Sequence, residues 1–247
     1  MKNSLFVLLL PFLFFLGDDN FLGKQKKYVN VKMAYKHKFS SLSEDLKHLN
    51  ISMNSMRMIL VAFKMEKKIE LYVKSAEGEK FLLFKTYEIC ESSGELGPKR
   101  KEGDLQVPEG FYYINHFNPT SSYYLSLGIN YPNQSDKIKS GSEKPGGNIY
   151  IHGDCVTIGC LPVTDDKIKE IYVLACQAKA SGQKHIPVYI FPYEMNKTTH
   201  EKMKSLNSKR SGLINFWENL REGYNSFSGC KCELNYIVER DGKYKFR

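Results

Sequence analysis

The stretch NIYIHGDCVTIGC, residues 148–160, decides how this chain reads. It opens with the alternation of a β-strand, which His152 closes. Gly153 permits a sharp turn. Seven residues separate His152 from Cys160, and Gly159 immediately precedes the thiol. A loop of that length returns the thiol to the histidine at the strand end. A cysteine beside a histidine has what nucleophilic catalysis requires: imidazole takes the thiol proton and the thiolate attacks. Small residues next to the nucleophile leave its backbone N–H groups open to an oxyanion. Two other readings of these residues stand beside this one. Zinc held by His152, Cys155 and Cys160 is one, although the spacing lacks C-x-x-C character and no fourth ligand is evident. A Cys155–Cys160 disulfide is the other, and it would silence the nucleophile.

Outward from this stretch, LPVTDDKIKEIYVLACQAKASGQ (161–183) is a helix capped by Thr164, with two acids in its first turn and Gly182 closing it. Cys176 within it reads as a small buried apolar residue. HIPVYIFPY (185–193) is a buried strand, and helices follow around 197–206 and 212–226, with a final strand near 243–246. Upstream, 56–64, 68–76 and 79–90 read as strands, the last two joined by a hairpin at AEGEK, and shorter strands follow at 111–117 and 122–129. Residues 91–110 and 130–147 are polar loops rich in Gly and Pro; the first is long enough to be functional or mobile. Residues 24–50 are helical, with Ser41 or Ser43 as the N-cap of a short helix ending near Leu49. The sum is mainly β (α+β), a mixed β-sheet or sandwich core with peripheral N- and C-terminal helices.

The 247 residues are 42% hydrophobic, which excludes a disordered chain. An apolar run, Leu5–Leu16, follows Lys2 and is too short to span a bilayer comfortably. Residues 1–17 therefore read as a signal peptide, with an uncleaved anchor as the alternative. The expected location is the periplasm or cell envelope, with membrane contact only through this segment. The formal charge is +9, but the lysines are spread along the chain and no helix gathers them on a groove-reading face, which argues against nucleic acid. The charge suits either an anionic envelope as surrounding or a merely soluble basic surface. The six cysteines allow 15 complete pairings, and a chain of this size requires none.

IHGDCVTIGC resembles the active-site motif of the L,D-transpeptidase (YkuD-type) catalytic domain: His-Gly, a loop, then Ser/Thr-x-Gly-Cys. GPKRKEGDLQVPEGFYYI, FNPTSSYYLSLGINYPN, GGNIYIHG and FWENLREGYNSF extend the resemblance to the YafK-type branch of that family, over most of residues 56–226. The resemblance implies a YkuD-like catalytic domain at 57–192, an N-terminal helical segment at 24–56 and a C-terminal helical extension at 193–247. It implies Cys160 as nucleophile, His152 as base, the Gly159 and Cys160 N–H groups as oxyanion hole, Thr157 as a hydrogen-bonding support and Gly153 as turn glycine. The common motif has a longer loop, a second His two residues before the Cys and an Arg two residues after it. Here Ile158 and Pro162 stand at those places, which leaves the handling of a substrate carboxylate open.

The activity so implied is L,D-transpeptidation of peptidoglycan stem peptides through a thioester, in wall biogenesis and cell shape, without metal or other cofactor. Two alternatives stand. A hydrolase of the same family would trim stems or release wall-attached protein. A non-catalytic wall-binding module would have Cys160 in a disulfide. Lys99, Arg100 and Lys101 are candidates to meet peptide carboxylates, with a solvated charge run as the default; Tyr131, Tyr123 and Tyr124 either pack under the site or belong to the sheet, and His116 lines the cleft or the surface.

Overall fold

The computed structural model describes residues 19–247; the segment 1–17 lies outside the described residues. In chain order the elements are α1 (Asp19–Gln25), α2 (Val29–His48), β1 (Met56–Phe63), β2 (Lys68–Ser75), β3 (Leu82–Glu88), β4 (Gly110–Asn118), β5 (Ser126–Ile129), α3 (Gln134–Ser140), β6 (Tyr150–His152), β7 (Leu161–Pro162), α4 (Asp165–Ala180), β8 (Pro187–Phe191), α5 (Lys197–Leu206), α6 (Ser211–Cys230), β9 (Tyr236–Val238) and β10 (Tyr244–Phe246). Eight strands make one mixed sheet in the order β3-β2-β1-β8-β4-β5-β6-β7, and β9 pairs with β10 alone. The β1–β8 and β6–β7 pairs are parallel.

The run MRMILVAF in β1 is almost wholly apolar because both of its faces are covered. Met58, Leu60 and Ala62 join one core with Leu42 and Leu46 of α2 and Ile171 and Leu174 of α4. Ile59, Val61 and Phe63 point the other way, into a second core with Phe216, Trp217, Leu220 and Phe227 of α6. The two-residue period of a strand thus separates two helical layers across one sheet. Each fully buried aliphatic or aromatic side chain contributes roughly 1.5–3 kcal/mol. The expected α+β class is what the chain adopts, with the sheet between its helices.

Three local expectations are corrected. No helix starts at Ser41 or Ser43: α2 runs through both. Ser41 turns its hydroxyl back to the Lys38 carbonyl at 3.1 Å, and the stripe Val31, Ala34, Leu42, Leu46 stays buried along the whole helix. Packing against α4 outweighs the local capping signal. The polar stretch 130–147 contains α3, started by a capping box in which Asn133 accepts from the Asp136 N–H and the Asp136 carboxylate accepts from the Asn133 N–H. The strand expected from 122 begins only at Ser126, since Tyr124 takes a left-handed φ of 67°.

The long segment 91–109 has no regular structure, yet it is pinned. The fully buried Glu109 accepts from Gly97 N at 2.7 Å, Lys64 Nζ at 3.0 Å and Trp217 Nε1 at 2.9 Å. One carboxylate therefore ties the loop to β1 and α6. Removing a partner from a buried charge pair strands the other charge, at roughly 3–5 kcal/mol. Glu109→Ala is expected to lose that much in denaturant unfolding, and Glu109→Gln clearly less. A loss below about 1 kcal/mol in Glu109→Ala would mean that this network does not hold the loop.

Candidate active site

Strand register places the site. Leu127, Ile151 and Leu161 lie side by side on β5, β6 and β7, and all three enter the core under α4. Alternation turns Ser126 and His152 to the opposite face. Cys160 leads into β7 two residues before Pro162, the strand partner of His152. Because β6 and β7 are parallel, the loop 153–159 must carry the chain back along β6. The thiol consequently lies beside the Tyr150 N–H and 3.7 Å from the Asn148 carbonyl.

His152 is only 2% exposed. Its Nδ1 lies 2.6 Å from the Gly153 carbonyl, which can only accept, so Nδ1 carries the ring proton and Nε2 keeps its lone pair. The Tyr123 ring lies over the imidazole, with centroids 4.6 Å apart. Burial lowers the His152 pKa below its ordinary 6.5, against the Gly153 carbonyl and Asp154, which raise it. Burial also pushes the Cys160 thiol above 9.0, against the Tyr150 N–H and the Lys99 ammonium. At pH 7 the thiol and the imidazole are thus both neutral at rest, rather than a preformed ion pair.

Thr157 braces the backbone at Cys160. Its Oγ1 accepts from Cys160 N at 2.8 Å and Gly159 N at 3.2 Å, and it donates to the Cys160 carbonyl at 3.0 Å. This corrects the expectation that the Gly159 and Cys160 N–H groups stand open to an oxyanion: in this structure the Thr157 hydroxyl occupies both. Gly159 is required at its φ of 130°. Gly153 is needed for a different reason than a turn: a Cβ there would come within 2.5 Å of Asp165 Oδ1 and 2.8 Å of the Tyr123 carbonyl. The left-handed residue of this turn is Asp154, at φ 64°.

Cys155 is bonded to Cys90, which clamps the middle of the loop to the end of β3 and leaves Cys160 as a free thiol. The same bond removes Cys155 from the zinc set and from a bridge to Cys160. Cys230 pairs with Cys232, and Cys176 is fully buried in α4.

A model of the L,D-transpeptidase catalytic domain, YkuD, matches residues 64–213. The provisionally named L,D-transpeptidase YafK of Escherichia coli K12 is 41% identical over 167 residues, 67% of this chain and 64% of its own length; its counterpart in strain O157:H7 gives the same figures. This chain belongs to the L,D-transpeptidase (YkuD) family. It matches just under two thirds of the length of those relatives. Among solved structures, the helical cell shape determining protein Pgp2 of Campylobacter jejuni is 21% identical, with a TM-score of 0.45 over 74% of each chain. Bd1075 of Bdellovibrio bacteriovorus is 24% identical, with a TM-score of 0.39 over 70% of this chain and 63% of its own.

In this L,D-transpeptidase domain Cys160 opens on a cavity of about 250 Å³, walled by Ile89, Leu96, Val107 and the 91–95 segment. The flanking cations separate. Lys99 is buried, paired with Asp104, and near enough to favour the thiolate. Arg100 turns away to Asp136 at 2.7 Å. Lys101 is exposed, 3.7 Å from Glu143. Tyr131 is buried and donates to the Lys99 and Pro145 carbonyls. Arg100 and Tyr131 thus brace the loop. His116 is exposed on β4, with its ring 6.4 Å from that of Tyr150. The electrostatic part played by Lys99 was hidden because the KRK run gives no sign of which way each side chain turns.

A raised thiol pKa has a direct consequence. Only the thiolate is alkylated, so iodoacetamide modification of Cys160 should rise ~10-fold per pH unit between pH 6 and 8 and keep rising past pH 9. A plateau near neutral pH would show a thiolate–imidazolium pair instead.

Proposed function

We propose that this protein is an exported, cysteine-dependent L,D-transpeptidase that acts on peptidoglycan stem peptides through a thioester on Cys160. The observation that carries the reading is a free thiol two residues before the strand partner of a buried imidazole whose Nδ1–H is fixed by Gly153. Membership of the family supports the reaction class. Two disulfides are consistent with an oxidising compartment and hence with export.

The chemistry follows from those atoms. Nε2 of His152 removes the Cys160 proton as sulfur attacks the carbonyl carbon at the L-centre of a diamino-acid residue. The C–N bond to the outgoing residue, such as D-alanine, breaks, and the leaving nitrogen takes the proton back from Nε2. An acceptor amine then attacks the thioester, loses a proton to Nε2, and sulfur departs to be reprotonated. General-base assistance of this kind is worth roughly 10²–10⁴ in rate. If Thr157 keeps its present bonds, the developing oxyanion must find other donors; if its hydroxyl rotates away, the Gly159 and Cys160 N–H groups become free. Water in place of the amine would make the same site a carboxypeptidase, an endopeptidase or an amidase releasing wall-attached protein.

Incubation with defined muropeptides and mass analysis of the products tests the reading. New amide cross-links between diamino-acid residues, or an amine-containing acceptor joined to one, are expected. Trimmed or released stems with no new amide at any acceptor concentration would replace the transferase by the hydrolase.

A further inference from the structure

A second cavity lies on the far side of the segment that carries Lys99. It has a volume of about 700 Å³, and Arg100, Lys139, Lys209, Arg210 and Lys243 line it while no acidic residue does. Consecutive residues divide the two sites: Lys99 is felt by the Cys160 thiol, whereas Arg100 extends over the Phe216 ring at 5.0 Å and lines this cleft.

The cations are only partly neutralised from within. Arg100 is held by the buried Asp136. Lys243 lies 3.4 Å from the exposed Asp241 carboxylate, and Lys139 reaches only the backbone carbonyl of Asp241. Arg210 touches the neutral Asn207 side chain at 3.4 Å. Lys209 has no ion-pair partner among the described residues. Burial lowers the Lys139 pKa; Asp241 opposes the shift, and the charges of Arg100 and Lys243 add to it, so repulsion among these cations remains. An anion placed among them would relieve that repulsion.

The cleft floor adds direction to the charge. The first residues of the 20-residue helix α6 line it, and that helix begins with no side-chain cap and no acid in its first turn. The Ser211 and Gly212 amides donate to no protein acceptor among the described residues. Backbone N–H groups beside an arginine fork bind oxyanions, and the number of surrounding cations favours one that carries several charges, as a diphosphate does. The volume exceeds what one phosphate fills and falls in the range of whole small-ligand sites.

We propose that this cleft is a phosphate-binding site for a diphosphate or multiply phosphorylated ligand, separate from the Cys160 centre. The phosphate belongs either to a soluble ester or to a lipid headgroup.

Titration calorimetry of the full chain with pyrophosphate, with citrate as a carboxylate control, tests the assignment. Pyrophosphate is expected to bind at least tenfold more tightly than citrate, and more weakly as salt is raised. K209Q/R210Q should weaken pyrophosphate binding at least tenfold while leaving the alkylation rate of Cys160 unchanged. If that variant melts early, K139Q on α3 carries the same expectation. Cosedimentation with phosphatidylglycerol vesicles, competed by pyrophosphate, would assign the phosphate to a lipid; pyrophosphate binding without cosedimentation would assign it to a soluble ester. Failure of pyrophosphate to bind at low salt, binding no tighter than citrate, or equal binding by wild type and folded variants would overturn the proposal.

Discussion

Replacing Cys160 by alanine is expected to abolish acyl transfer. No other sulfur can take over. Cys90, Cys155, Cys230 and Cys232 are held in disulfides, and Cys176 is sealed in the core against α2, where burial raises its pKa far above the ordinary thiol value. The side chain of Cys160 contributes little to packing, being only partly buried at the mouth of its cavity. The variant should therefore melt within a degree or two of wild type while product formation falls to background. Cys176→Ala provides the contrast: turnover is kept, and stability drops by about 1 kcal/mol from the small cavity left behind. Wild-type turnover in the Cys160 variant would remove the nucleophile from the account.

His152→Gln is expected to lower turnover by roughly 10²–10⁴ near neutral pH. Glutamine offers an N–H to the Gly153 carbonyl and fills similar space, but it has no nitrogen that takes up a proton. The loss should shrink as pH rises past 9, because the thiolate then forms without a base. The sign follows from the raised thiol pKa: the deprotonated fraction grows with pH throughout that range. In the wild type, the competent imidazole is neutral, and burial lowers its pKa, so the acid limb of kcat/KM should fall below 6.5. A loss in His152→Gln that stays constant from pH 6 to pH 10 would indicate a positioning role alone.

Parts of this architecture are legible in the sequence for identifiable reasons. β1 reads as a strand because its apolar run is short and β-branched or aromatic at its end, and α4 because Thr164, two acids and an apolar stripe agree. His152 and Cys160 stand out because a glycine follows one and precedes the other across a short loop. What could not be read depends on long-range packing. The Cys90–Cys155 bridge spans 65 residues and is one of many pairings that the six cysteines allow. The continuity of α2 through Ser41 and Ser43 depends on its contact with α4. Thr157 reads equally well as a loop residue until its hydroxyl is seen between two N–H groups and a carbonyl. The opposite directions of Lys99 and Arg100 are set by Asp104 and Asp136, partners that irregular loops do not announce by periodicity. The basic cleft joins residues from four distant segments, and no local run of sequence contains it.

The central claim is a thioester on Cys160, and the intact mass of the acid-quenched protein tests it most directly. After brief incubation with a disaccharide-tetrapeptide, the account predicts a mass gain equal to the donor less its terminal D-alanine, mapped to the peptide that contains Cys160 and released by hydroxylamine. Steady product formation with no such adduct at any quench time, or an adduct on another residue, would contradict it.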